Sequence, residues 1–596
     1  MKKRKEIDVN YTWDLTPIYK NEEEFNKEYK EVSALVDTFA THKDTMLQTA
    51  ENLYKTITIY NEITRKITKL YVYANLIYDE DTSNNNSASR RGKVINLDDK
   101  FENISYFYVP NILEKDYTDI EKMYKEYPPL KEYKIPLKNI FRYKTHTLSK
   151  TEENILSTIS SLLGKNEDIY ELLKESDMEF DNIEINGKKE KLNDTNYKIY
   201  IESPDRFIRE KAFKTLYKTY KQFSNTYATT LYNHIKENTV ISKLRKYPSS
   251  LEASLYPDEL TPEIYNNLIN TINKNLSTIY KYYQLRKQVL NLDTLHLYDV
   301  YAPLVEKYTK KYTFEEGKEI VLKALEPLGP EYRKILDKAF AQKWIDVYPN
   351  EGKRTGGYSG GCYDTYPYIL LNYQDKYDDV STLAHELGHS VHSYYSRTNN
   401  PYQNSGYAIF VAEVASTVNE LLLAKYLLKT STSKEEKLYI LNNLMELFRA
   451  TIYRQTMFAE FEKQAYNLVE KEEVLTSEKM SNIYYDLNKK YFGKDTFIDE
   501  EIKYEWARIP HFYYDFYVYK YATGLSAAVY IVENVISNNQ TNKYIDFLKC
   551  GITKNPLDSL KLAGVDLSKP KVVEDAIKYF DKVIENFKEL PVKKSK

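Results

Sequence analysis

Residues 385–389 read His-Glu-Leu-Gly-His, and this pentapeptide constrains the chain more than any other segment. Two histidines four apart can serve one point only on an α-helix, where they lie about 40° apart around the axis and one turn displaced. Leu383, Ala384 and Leu387 are apolar, so such a helix can be buried. Two imidazoles converging on a point are what a zinc ion asks of two ligands. Glu386 follows the first histidine and projects to the open side of such a metal, where a carboxylate can take a proton from water. Three of the eight histidines fall within 385–392. A helix with ordinary packed or solvated histidines is the alternative reading.

Zinc needs a third protein ligand and an open fourth position. The pattern HExxHxxGxxH is excluded, because His392 stands where the glycine belongs and Tyr395 where the third histidine belongs. A following helix offers another source. Thr398–Gly406 reads as a loop, and the chain from Tyr407 onward reads as an apolar helix interrupted by Glu413 and, seven residues later on the same face, Glu420. Isolated carboxylates on an apolar face are unfavourable unless they bind something. Glu413 has the stronger case as third ligand, and Glu420 is better placed to hold a ligating histidine by its second nitrogen. Asp378 or Asp379 could do the same, or could be solvated charges at the helix start. His392 reads as a packed or hydrogen-bonded helix residue.

The surroundings are predicted to be mainly helical, since only 16 of 596 residues are glycine. That length exceeds one compact core, so several packed lobes are expected. With 85 basic and 87 acidic residues, nothing in the charge points to nucleic acid or an anionic membrane. Cys362 and Cys550 offer neither a disulfide framework nor a thiolate site. The basic N-terminus has no apolar stretch behind it, and no run of about 18 apolar residues occurs anywhere. The expectation is a soluble cytoplasmic protein; oligomeric state is unreadable.

Asn21 and Glu24 have the spacing of a helix cap, with Phe25, Tyr29, Val32 and Val36 behind them at helical intervals. Helical patterns fill residues 48–78 and stop at the polar stretch Asp79–Ser87; residues 151–176 read as helix again. Phe180–Ile185 alternates and runs into Asn186-Gly187, predicting a two-stranded ribbon at 180–192. Ser203 caps a long helix with Pro204 at its first position. A boundary falls near 200, separating an N-terminal helical lobe (1–200) from a catalytic domain (201–596). His296–Tyr301 reads as extended, Gly356–Tyr373 as strands and turns, and the chain from about 378 as helix with a solvated tail at Lys593–Lys596.

HELGH at 385–389 with AEVASTVNE at 412–420 resembles the thimet oligopeptidase and neurolysin family of zinc peptidases, its oligoendopeptidase F branch above all. YTWDLTPIY at 11–19, SPDRFIREKAF at 203–213, GGYSGGCYDTYPYILLNY at 356–373 and RIPHFYYDFYVYKYATG at 508–524 are similar to that branch in the same order. The resemblance implies a mainly α fold, with two helical lobes around a deep substrate channel and a small β-sheet beside the zinc. It implies one Zn2+ on His385, His389 and Glu413, with Glu386 as base. It brings His511, Tyr514 and Tyr521 to the substrate carbonyl and the tetrahedral intermediate. The interval from His511 to Asp515 is two residues shorter than in the thimet branch, which leaves open which tyrosine of 513–521 donates. The Gly356–Tyr373 segment, with Gly360, Gly361 and Tyr363, would be a strand edge that pairs with an oligopeptide backbone; a purely structural hairpin is the other reading. A non-catalytic peptide binder is disfavoured by the intact Glu386. A zinc amidase for small substrates is disfavoured by the chain length and the extended Gly/Tyr segment.

Overall fold

The computed structural model describes residues 2–185, 187–305 and 308–590, and helix dominates them. Its early part brings α1 (Glu22–Phe39), α2 (Ala50–Glu80) and α3 (Asn85–Ser105), then a ribbon of β1 (Asn182–Ile185) and β2 (Lys188–Lys191). Helices α4 (Arg206–Gln222) and α5 (Ser224–Leu244) follow, with short strands β3 (Leu295–His296), β4 (Ile345–Asp346), β5 (Tyr358–Gly360) and β6 (Tyr368–Leu370). The remainder includes α6 (Tyr377–Asn399), α7 (Ile409–Thr430), α8 (Gln455–Glu470), β7 (Thr496–Phe497), α9 (Tyr519–Tyr530) and α10 (Lys571–Glu589). Among the described residues no helix is long and apolar enough to cross a membrane.

Local chemistry explains the element ends. Asn21 accepts from the Glu24 N–H at 3.0 Å and starts α1. The ribbon is antiparallel with Ile185 opposite Lys188; Asn186 of the expected turn and the Lys593–Lys596 tail lie outside the described residues. Four expectations need correction. The break after α2 spans only Asp81–Asn84, because Asn84 accepts from the Asn86 and Ser87 N–H groups and restarts the helix, so Ser87 belongs to α3. Residues 151–176 are not one helix: Gly164, at φ 75°, separates Lys150–Ile159 from Lys165–Leu172. The cap of α4 is Asp205, whose carboxylate accepts from the Phe207 N–H at 2.9 Å, while the Ser203 hydroxyl accepts from Asp205 N–H. Of His296–Tyr301 only His296 is strand; Leu297–Asp299 closes into a single turn.

The chain forms two compact units, each assembled from separated stretches. The first takes the residues up to Thr145 with Thr309–Leu427 and Ile531–Gly564. In it, α1 buries Phe25, Val32, Val36 and Phe39, and Phe39 meets Phe101 of α3 edge-on at 5.4 Å. Each such side chain contributes about 1.5–3 kcal/mol by leaving water. A three-stranded sheet, ordered β4-β6-β5, lies in the same unit, with β6 parallel to β4 and antiparallel to β5. Tyr368, Ile369 and Leu370 make β6 wholly buried, as a central strand should be, while β5 is the half-buried edge. The sheet packs on α6, where Ser359 and Ser390 hydroxyls lie 2.8 Å apart. The second unit takes His146–Tyr308, Leu428–Tyr530 and the residues from Val565. There α10 presents Val573, Ile577, Phe580, Ile584 and Phe587 at helical spacing and packs on α9.

Candidate metal centre

Helix α6 begins where the Asp379 carboxylate accepts from the Gln374 and Lys376 N–H groups, both at 2.9 Å. That occupies Asp379 with starting the helix. One turn on, Val380, Leu383, Ala384, Leu387 and Val391 are buried and fix the helix's rotation. Two contacts then set α7 against it. Asn419 is fully buried, donating to the Ala384 carbonyl at 2.9 Å and accepting from the Tyr332 hydroxyl at 2.9 Å. Gly388 supplies the other: a Cβ there would lie 2.6 Å from Ser416 Cα and 2.7 Å from the Ala415 carbonyl oxygen. Only a residue without a side chain lets the two backbones approach this closely.

These contacts bring three donor atoms together. His385 Nε2 and His389 Nε2 are 3.2 Å apart, and each is 3.5 Å from Glu413 Oε2. Ligands about 2.0–2.1 Å from a tetrahedral zinc stand about 3.3–3.4 Å from one another, so the triangle fits that ion. Glu420 Oε1 lies 2.5 Å from His385 Nδ1, so that nitrogen carries its hydrogen and Nε2 turns its lone pair inward. The alternative open in the sequence, Glu420 behind a histidine, is the arrangement found.

Electrostatics follow from the crowding. Burial opposes charge on His385, but the Glu420 hydrogen bond and charge outweigh it and hold the metal-free imidazole up at about 9, so a metal ion ligated by Nε2 would have to displace a proton there. The His389 hydrogen bond holds Glu413 down at about 2, so this carboxylate is ionised at neutral pH and able to ligate. Glu386 is buried, and burial raises its pKa; Glu413 and Glu420 add to the rise while His385 and His389 oppose it. His392 is buried with its ring stacked on Tyr407 at 3.9 Å, and burial pushes it down to about 3. It is a packed residue outside the donor cluster.

The predicted substrate residues lie at the end of strand β5 and just beyond it, in the same unit. Gly360 ends β5, whose outer edge is unpaired among the described residues. Gly361 follows at the crowded corner where a Cβ would meet the Tyr366 carbonyl oxygen at 2.5 Å. Tyr363 is engaged within the protein: its hydroxyl donates to the Asn400 carbonyl at 3.3 Å and its ring lies under Arg65. Arg65 also holds Asp364 through Nε at 2.6 Å.

In the second unit, His511 Nε2 lies 3.3 Å from the Tyr521 hydroxyl, and Tyr514 meets the His511 ring edge-on at 5.6 Å. Burial lowers the His511 pKa and favours the neutral ring. Of the five tyrosines in 513–521, Tyr513 and Tyr519 are buried, and Tyr513 is hydrogen-bonded to Thr230 at 2.8 Å. Tyr514, Tyr517 and Tyr521 keep solvent access.

The family description Peptidase family M3 matches residues 199–579, and Oligopeptidase F matches residues 111–180. The chain belongs to peptidase family M3. It is 41% identical over 593 residues to oligopeptidase PepF of Bacillus subtilis, covering 99% of this chain and 88% of that protein. It superposes on a crystal structure from Chlamydophila abortus with a TM-score of 0.93, at 35% identity over 99% of this chain and all of the other. The oligoendopeptidase-F of Enterococcus faecium gives a TM-score of 0.73 at 34% identity, covering 95% and 99%. As an M3 member the chain is a metalloendopeptidase, mainly helical with small sheets.

For this M3 chain the sequence reading passed over several residues. Gly388 sat inside the motif, yet its role depends on a helix beginning 21 positions later. Tyr517 belonged to the noted cluster, and exposure sorts it from Tyr513. Arg65 carried no signal, because its partner Asp364 is 299 residues away.

Proposed function

We propose that this M3 member is a zinc-dependent endopeptidase that hydrolyses short unfolded oligopeptides, with Glu386 as general base. The observation that carries the reading is the triangle of His385, His389 and Glu413, whose edges suit one tetrahedral zinc per chain. Zinc held there supplies Lewis-acid polarisation of the scissile carbonyl and acidifies water. Glu386 takes the proton of the attacking water and later gives it to the leaving amine; a carboxylate whose pKa burial has raised suits both halves of that relay. His511, Tyr514 and Tyr521 donate hydrogen bonds to the substrate oxygen as it gains charge. The free edge of β5, with Gly360 and Gly361 and with Tyr363 beyond, receives an extended peptide through main-chain pairing.

By family, residues 1–200 are then an N-terminal helical lobe and 201–596 the catalytic domain, a division supported by the family match at 199–579, while the two compact units cut across it. Two buried free cysteines suit a reducing, cytoplasmic setting. The test uses an internally quenched peptide of about ten residues, a length suited to strand-like binding, with intact casein alongside. Chelator-sensitive cleavage of the peptide alone, restored by zinc, is the expected result. A folded, zinc-loaded protein that leaves the peptide intact refutes the reading.

A further inference from the structure

Asp515 and Phe516 both stand in left-handed backbone conformation, at φ 45° and 59°. Of the nine described non-glycine residues with positive φ, they are the only adjacent pair. Lys246, Asn291, Lys343 and Glu472 each stand singly just past a helix end, the ordinary place for such a residue. A pair inside a loop is disfavoured by the sterics of Cβ, more so when one member is aromatic. Such a conformation persists only where its surroundings over-determine it.

The surroundings do so from several directions. One oxygen of Asp515, Oδ1, lies 2.8 Å from His234 Nε2, 2.6 Å from Asn238 Nδ2 and 2.7 Å from the Tyr466 hydroxyl. Ser254 donates its hydroxyl to the Asp515 carbonyl at 2.6 Å. The Phe516 N–H donates to the buried Glu462 at 2.6 Å, and the Phe516 ring packs on Tyr466 and Tyr265 at 4.4 and 5.6 Å. Thus α5, α8 and the Ser254 region all close on two residues. The turn lies between His511 and Tyr521, whose side chains meet at 3.3 Å across ten positions of chain. Any relaxation of residues 515 and 516 to ordinary dihedrals redirects one arm of that loop and separates the two.

We propose that Asp515 is a positioning residue: its carboxylate, held by His234, Asn238 and Tyr466, locks the left-handed turn that keeps His511 and Tyr521 together. The proposal rests on the reading above, in which those two side chains donate to the substrate. Glycines could follow the same path without strain, but they would leave the loop free to move. A strained turn locked from outside has one conformation, which is what donors aimed at developing charge need.

The experiment measures kcat and KM on the quenched peptide for Asp515→Ala, Asp515→Asn, Tyr521→Phe and the Ala/Phe double variant, all checked for zinc content. Asp515→Ala is expected to lower kcat about 10- to 100-fold, since displacement of a catalytic group by about 1 Å reaches that size. KM should stay within about threefold and zinc content should be unchanged. Asparagine keeps Oδ1 and tolerates the left-handed region, so Asp515→Asn should recover most of the loss. In the Tyr521→Phe background the alanine should add little, because both changes remove one interaction. A fully additive cycle, or an Asp515→Ala kcat within about threefold of the parent, overturns the proposal. Should Asp515→Ala fail to fold, His234→Gln with Tyr521→Phe runs the same cycle. A parent protein without chelator-sensitive cleavage refutes the peptidase reading instead, which separates the two failures.

Discussion

A methyl group at position 388 would wedge apart the two helices that carry His385, His389 and Glu413. The Cβ of Gly388→Ala would stand 2.6 Å from Ser416 Cα and 2.7 Å from the Ala415 carbonyl oxygen, where ordinary contact begins at 3.4 Å. Both neighbours are backbone, so no flexible side chain can swing away, and α7 must retreat by roughly 0.8 Å in a close-packed interior. Glu413 rides on α7 one turn before Ser416 and moves with it. Metal–ligand distances tolerate only about 0.2 Å, so the shift is about four times what the ion accepts. Zinc affinity should fall at least 10- to 100-fold, the range seen when support of a ligand is lost. Stability should change far less. Overpacking costs about 1–3 kcal/mol, but alanine in place of a helical glycine returns about 1 kcal/mol. Zinc competition with a chromophoric chelator gives the affinity, and urea unfolding of the metal-free protein gives the stability. A Gly388→Ala variant that binds zinc as tightly as the parent refutes the argument that helix spacing sets the ligand triangle.

Other consequences are as specific. Glu420→Ala should weaken zinc binding about 10- to 100-fold by releasing His385 Nδ1; competition titration checks it, and unchanged affinity contradicts the orienting role. Tyr521→Phe should cut kcat about 100- to 1,000-fold if its hydroxyl stabilises developing charge, whereas Tyr513→Phe, buried against Thr230, should cost about 1 kcal/mol of stability and leave kcat alone. The acid limb of stability should reflect His392. Its folded pKa is depressed to about 3, from an ordinary 6.5, by burial and then by His389. The unfolded chain therefore takes a proton that the folded chain refuses, and stability is fully present above pH 6.5 and falls as pH drops towards 3. The slope is about 1.4 kcal/mol per pH unit, or about 2 kcal/mol by pH 5. His392→Phe, which keeps the stack on Tyr407, should flatten that limb in urea unfolding at pH 7, 6 and 5, and an identical slope would contradict it.

Much of the donor cluster was legible because helical geometry converts sequence spacing into spatial proximity. His385 and His389 needed only the four-residue interval, and Glu413 and Glu420 announced themselves as carboxylates on an apolar face. Caps such as Asn21 were readable for the same local reason. What could not be read depends on partners remote in sequence. The width allowed at Gly388 is set by Ser416, and the conformation of Asp515 by His234, Asn238 and Tyr466. Two-residue β4 gains its identity only by pairing with β6. At Ser203-Pro204-Asp205, two residues competed for one cap, and hydrogen bonds to Asp205 and Phe207 decided it. Units built from separated stretches leave no step in composition at their borders.

Glu386→Gln separates metal binding from general-base catalysis, with bound zinc and peptide turnover measured on the same preparation. One zinc per chain is expected, as in the parent, with kcat reduced by about 100- to 10,000-fold, the range attributed to a positioned general base. Near-normal turnover by the zinc-loaded glutamine variant would contradict it.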